Sequence, residues 1–235
     1  MDRTTTALRR TRIEATEDDF SAGEVLVEGV RTWLLQLPMY GGVAFLVHLP
    51  LLGLIFVRAL PGWLLVPIFF AAELFAVLLV KAALVKAVLD ERRGLPSEFR
   101  ELLEAVNRKG PAALAVGTTI LAGALAKMVK LVLPGIVYLC ETFAAVPEVI
   151  VEGSSTSAAV RRSEQLIVGA RPQVFAVCLL IWTLAGALPF LIGLHHGGHV
   201  IHVTSMIFYL ALRSLDSSLA AVLAATAYSR LLQRD

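Results

Sequence analysis

Several apolar runs, each close to the length of one bilayer crossing, limit what this chain can fold into. A helix needs roughly 20 apolar residues to traverse the hydrocarbon core. Inside that core the backbone has no water to bond, so such runs close their hydrogen bonds within themselves as helices. The rest of the composition agrees: 57% of the 235 residues are hydrophobic and only 17% are charged. A soluble domain carries about 25% charge. A transmembrane barrel would show ten-residue segments of alternating polarity, and none stand out. The expected fold is all-α: a polytopic membrane helix bundle of about six transmembrane helices with short amphipathic interfacial helices.

Residues 1–20 read as a disordered cytoplasmic tail, and residues 21–235 as a single six-span domain. The acids Glu14, Glu17, Asp18 and Asp19 and the lack of an early apolar core argue against a secretory signal. Residues 21–33 place Val25, Leu26, Val30 and Trp33 near helical spacing, so an interfacial helix is expected, capped by Ser21 with Glu24 three residues on. Span 1 covers 34–57 and is kinked at Pro50; span 2 covers 63–84. The polar connection 90–110 predicts a separate surface helix over 97–107, capped by Ser97, before span 3 begins at Pro111. Span 3 is rich in Ala and Gly, which lets helix backbones approach closely. Span 4 is 131–151, interrupted by Pro134 and Pro147, and span 5 is 172–194. Between them, 156–168 predicts an amphipathic helix ending at Gly169. The last section has two readings. In the first, 199–211 is an outer amphipathic helix or a broken first half of span 6, and 217–232 is the second half. In the second, 200–232 is one helix with Arg213 and Asp216 facing inward.

Basic residues set the orientation. Six spans put fifteen Lys and Arg on one side, from the N-terminal tail, the 90–110 and 152–171 connections and the C-terminus. Only Arg58, Lys127, Lys130 and Arg213 fall opposite. Both termini are therefore expected in the cytoplasm, with the chain in a cell (inner) membrane.

Ionisable residues inside apolar spans are the first places to look for function. Glu73, Lys81, Glu141 and Glu148 qualify. Glu73 and Lys81 are eight residues apart, too far for a short i, i+4 pair. Glu141 and Glu148 are seven apart and share a face of an unbroken helix. Glu141 is expected to contact Lys127, Lys130 or Lys81, and Glu148 to lie near the cytoplasmic interface. His48 reads as a satisfied interior residue. Arg161, Arg162 and Arg171 stand where lipid phosphates are expected, each contact worth ~1 kcal/mol. His195, His199 and His202 have a spacing zinc can use, but no HExxH motif accompanies them, so they are weak candidates and no metal or other cofactor is expected. Cys140 and Cys178 lie within apolar spans and read as small buried side chains rather than a disulfide. A GxSxG elbow, a P-loop and a dinucleotide fingerprint are absent from the sequence, as are basic runs suited to nucleic acid. The balance favours a non-enzymatic membrane protein. Its expected partners are phospholipids, with other membrane proteins or a second copy of itself also fitting. Lipid interaction, envelope maintenance or membrane-protein assembly is the first functional reading. A small-solute or lipid transporter using intramembrane glutamates is the alternative.

The run PGIVYLCETFAAVPEVIVEG, followed by AAVRRSEQLIVGARPQVF, resembles the signature of a bacterial and archaeal membrane-domain family of uncharacterised role. That domain also occurs fused in front of some glycerophosphoryl diester phosphodiesterases. The matching positions are Pro134, Gly135, Pro147, Glu152, Gly153, Ala159, Arg161, Arg162, Ser163, Leu166 and Gly169, with Tyr228 near the end. Glu148 and Leu231–Leu232–Gln233 depart from the pattern. The resemblance implies a six-helix membrane bundle in a bacterial or archaeal cell membrane. It implies no hydrolase activity, because the catalytic phosphodiesterase portion is missing from this chain.

Overall fold

A computed structural model describes residues 20–56, 61–129, 131–196 and 203–234, with side chains outside the description at 54–56, 62, 63, 66, 184–196 and 203–205. Among the described residues the regular structure is entirely helical. In chain order the elements are α1 (Ala22–Leu35), α2 (Leu37–His48), a 3-10 segment (Leu49–Phe56), α3 (Gly62–Arg92), α4 (Phe99–Met128), α5 (Val132–Glu141), α6 (Ala145–Glu152), α7 (Thr156–Ile167), α8 (Arg171–His196) and α9 (Val203–Arg234).

Among the described residues, four stretches are long and apolar enough to cross a membrane: Pro67–Arg92, Phe99–Met128, Val132–Glu152 and Met206–Arg234. Two bent pairs raise the number to six if each is one span. They are Ala22–Leu35 with Leu37–Gly53, bent by 84°, and Thr156–Ile167 with Arg171–Thr183, bent by 114°. Phe70, Phe75, Leu121, Leu125, Leu133 and Phe208 all point out of the bundle. Large outward apolar side chains on many helices fit a lipid-facing surface. The chain is therefore a multi-pass helical membrane protein.

α3 and α9 form the centre. Residues Ala82–Val85 and Ala221–Ala225 are buried without interruption, so these segments are enclosed on every side rather than along one stripe. The two helices pack on each other, with α1 and α2 against α9 and α4 against α3. The α3–α4 approach is close. A Cβ added at Gly117 would stand 2.5 Å from a methyl of Leu78, and one at Gly110 would stand 2.6 Å from Leu79. Small residues on α4 thus do what the sequence pattern led one to expect.

Several boundaries differ from the sequence expectation, each for a physical reason. Ser21 does cap α1, accepting a bond from the Glu24 N–H at 3.4 Å. The chain then turns sharply at Gln36, because Pro38 in the first turn of α2 starts a new helix. Pro50 does more than kink span 1: α2 ends at His48 and continues as the 3-10 segment. The expected surface helix over 97–107 and span 3 are one continuous helix, α4, with Pro111 inside it. Its N-cap is Glu98 rather than Ser97, and the Glu98 N–H reaches the Glu101 carboxylate at 3.4 Å. The outer amphipathic helix at 199–211 is also corrected. Residues 203–234 form the single helix α9, as in the second reading. Arg213 and Asp216 neutralise each other within one turn, so they do not end the span. Of the expected tail, residues 1–20, positions 1–19 lie outside the described residues, whereas Phe20 is buried in the hydrophobic core.

Candidate functional site: a charged cluster between α2, α3 and α9

Arg213 and Asp216 project from α9 into the bundle, one turn apart, with Arg213 Nη1 donating to Asp216 Oδ2 at 2.5 Å. From α3, Glu73 meets the same guanidinium: Arg213 Nε donates to Glu73 Oε1 at 2.6 Å. His48 completes the group from the last residue of α2, its Nε2 lying 3.8 Å from Glu73 Oε1. All four residues are withdrawn from the surface, with exposures of 0% for His48, 6% for Glu73, 7% for Arg213 and 8% for Asp216. The Tyr209 hydroxyl faces Glu73, Arg213 and Asp216, and its ring packs on Phe69 at 5.8 Å. Leu51, Ala76, Met206 and Leu210 make the apolar packing carried by the same segments.

Local structure explains how each group arrives. Arg213 sits within RSLDSS, a polar stretch of a membrane helix whose hydroxyls bond back to their own helix. Ser214 donates to Leu210 O at 2.6 Å, Ser217 to Ser214 O at 3.2 Å and Ser218 to Leu215 O at 2.9 Å. The hydroxyls are thus satisfied locally, which leaves the charges to cross to α3. Ser218 also accepts from the Trp33 indole at 2.9 Å, tying α1 to α9. His48 is placed by the break before Pro50. Its Nδ1 lies 2.8 Å from the Ala44 carbonyl, which can only accept, so Nδ1 carries a hydrogen. In the neutral ring Nε2 is then a bare acceptor facing a carboxylate. His48 Nε2 and Glu73 Oε2 are both buried without a hydrogen-bond partner. His48 is thus not the fully satisfied interior residue that its sequence context led one to expect.

The other expected site residues fall in different places. Lys81 is half-buried on α3 with its ammonium near the Cys178 thiol, away from the cluster. Cys140 and Cys178 are free, buried thiols. Glu141 and Glu148 do not act from one unbroken face, because a turn at 142–144 separates α5 from α6. Glu141 pairs with Arg171 at 2.9 Å; of the lysines expected to meet it, Lys130 lies outside the described residues. Lys127 stands instead over the Tyr138 ring at 3.7 Å. Glu148 is buried, accepting from Tyr228 at 2.7 Å and from Ser154 at 3.3 Å. Pro134 and Pro147 each fall in the first turn of a helix, α5 and α6 respectively. Ser163 bridges the break between them: it donates to Glu141 O at 2.7 Å and accepts from Ala144 N–H at 3.1 Å. Glu152 is exposed at the end of α6. Gly169 adopts φ +84 directly against Arg234, a conformation that L side chains rarely take.

Arg161 is exposed on α7 and Arg162 is half-buried. Arg171 is exposed but engaged by Glu141. The middle of α1 and the C-terminal ends of α3 and α9 are stitched together by Arg92 with Glu28 at 2.8 Å and Arg230 with Glu28 at 3.0 Å. Among the described residues, no three His, Cys, Asp or Glu side chains converge as a metal site. The His195 side chain, His199 and His202 lie outside the described residues.

The charged partners of Glu73 could have been found in the sequence. Arg213 and Asp216 are the two charges inside the last apolar segment, and His48 directly precedes a helix-breaking Leu–Pro pair. The pairing across 140 residues had no local signal.

The cluster defines the class: a polytopic helical membrane protein with salt-bridged carboxylates buried inside its bundle. No protein-family model, curated protein or solved structure matches this chain.

Proposed function

We propose that the protein is a membrane transporter, or permease, for a small polar solute, and that the Glu73–Arg213–Asp216–His48 cluster is its polar site. One observation carries this reading: three separate segments bring four ionisable side chains together inside an apolar bundle, with two of their polar atoms left unpartnered. Burying charge in a membrane interior is expensive, and such residues mark solute, ion or proton paths. A packing role alone would be served as well by apolar side chains of similar volume. The interrupted helix ending at His48 supports the same reading, because discontinuous helices frame binding sites in transporters. With His48 neutral, two carboxylates and one guanidinium leave the cluster with excess negative charge. That charge suits a cation, either as the solute or as a coupling ion.

The test is charge displacement on a solid-supported membrane carrying proteoliposomes of the full chain. Amines, amino acids, sugars and carboxylates are applied as separate panels. The expected result is a response to at least one panel that is lost in Glu73→Gln at matched folding. Silence with every panel from folded protein overturns the proposal.

Lipid handling is the second reading, favoured by the exposed Arg161 on an amphipathic helix. A phospholipid retained through gentle purification and lost in Arg161→Ala/Arg162→Ala would support it. We also propose that the chain belongs to the membrane-domain family it resembles. In that reading the end bearing Arg92, Arg230 and α7 faces the cytoplasm of a bacterial or archaeal cell, which reporter fusions at both termini test.

A further inference from the structure

We infer that His48 and Glu73 together bind one proton, held between His48 Nε2 and Glu73 Oε1, and that this proton is the coupling ion of the proposed transporter. The coupling role rests on the transport reading; the proton site stands on geometry alone.

Nδ1 of His48 is committed to the Ala44 carbonyl. Nε2 therefore faces Glu73 Oε1 across 3.8 Å as acceptor against acceptor; Oε1 accepts from Arg213 Nε, but among the described residues nothing donates to Nε2 or to Glu73 Oε2. One hydrogen converts the contact into a donor–acceptor pair. It resides on Nε2, giving an imidazolium beside a carboxylate, or on the carboxyl, giving an acid that donates to a neutral ring. Both microstates belong to one shared titration. The proton enters from water and forms an N–H or O–H bond; no electrons move and nothing leaves.

Charge gives the same answer. The groups facing this gap are Glu73 from α3, Arg213, Asp216 and Tyr209 from α9, and His48 itself from α2. The described side chains of the 3-10 segment, Leu49–Gly53, contribute no titratable group. Without the added proton the set is net negative in an apolar surround; with it, the set is neutral. Proton binding therefore removes the unbalanced buried charge that is hardest to sustain there. His48 also lies at a helix break. A change in its pairing thus acts where α2 gives way to the 3-10 segment, a position suited to convert protonation into movement.

The experiment is nitrogen-15 NMR of the full chain labelled at histidine in lipid nanodiscs, titrated from about pH 4 to about pH 9 across the range of ordinary histidine and carboxylate ionisation. The His48 signal is the one missing from His48→Asn. The expected result is a ring with Nδ1 protonated throughout and an Nε2 environment that changes in one step with pH. In Glu73→Gln the proton affinity at Nε2 falls about tenfold or more, one unit in midpoint. Glu73→Gln keeps the Arg213–Asp216 pair, so folding is retained. If it does not fold, proton uptake in weak buffer supplies the readout, with one proton per chain fewer expected in His48→Asn. An Nε2 that never changes, or that titrates identically in Glu73→Gln, overturns the proton site. Equal uptake by His48→Asn and wild type does so as well. A His48 titration in a protein silent to every solute panel retains the site and removes the transport reading. Solute currents independent of pH, with this titration intact, remove the coupling role.

Discussion

Replacing Arg213 with Met tests the energetics of the cluster most directly. Arg213 Nε stands 2.6 Å from Glu73 Oε1, and Nη1 stands 2.5 Å from Asp216 Oδ2. At an effective dielectric near 20, unit charges at the first separation attract by about 6 kcal/mol. Desolvation of the three groups offsets much of that, so the intact cluster contributes little net stability. Removing one partner is different, because the cost of the charges left behind is no longer offset. Arg213→Met leaves two buried carboxylates facing each other without a cation, and the expected loss is about 3–5 kcal/mol. Glu73→Gln leaves Arg213 balanced by Asp216 and should cost less, about 1–3 kcal/mol, the range for a lost charge-assisted bond. The triple variant Glu73→Gln/Arg213→Met/Asp216→Asn removes every charge and should recover most of the loss. Equilibrium unfolding of the purified chain in mixed micelles, followed by circular dichroism, measures all three. The reasoning fails if Arg213→Met costs under about 1 kcal/mol, the scale of an exposed pair. It also fails if the triple variant is less stable than Arg213→Met.

Three further substitutions, with one control, probe the frame around the site. Ser163→Ala removes both bonds across the α5–α6 break and strands the Ala144 N–H; a loss of about 1–3 kcal/mol is expected by the same unfolding assay. Tyr228→Phe removes the 2.7 Å bond to buried Glu148 and should lose about 1–3 kcal/mol, with unchanged helical content by circular dichroism. Gly117→Val pushes against Leu78 at the close α3–α4 approach and should cost about 1–3 kcal/mol, whereas Ala115→Val, on the exposed side of α4, should stay within about 0.5 kcal/mol of wild type.

Much of the architecture was legible because membrane helices obey short-range rules. The apolar runs locate α3, α4 and α9, Ser21 marks the start of α1, and the glycines of 110–124 announce a close helix contact. Boundaries were less legible where two rules compete. Pro111 reads as a helix start, yet α4 runs through it, with Pro111 exposed and twelve residues past the start of the helix. The pair Glu141 and Glu148 looked like one face until the turn at 142–144, held by Ser163 from α7, divided it.

The sequence by itself determined that this chain is a helical, multi-pass membrane protein, since apolar length and backbone hydrogen bonding leave no other solution in lipid. It also singled out Glu73 as a carboxylate in the wrong solvent. Only the tertiary structure decided what that carboxylate meets. Glu73 has no neighbour at helical spacing able to neutralise it; Arg213 and Asp216 arrive from 140 and 143 positions away, and His48 from 25 positions before it. Hydropathy is a local property, but charge compensation depends on distance in space. The cluster therefore comes into being only when α2, α3 and α9 pack together.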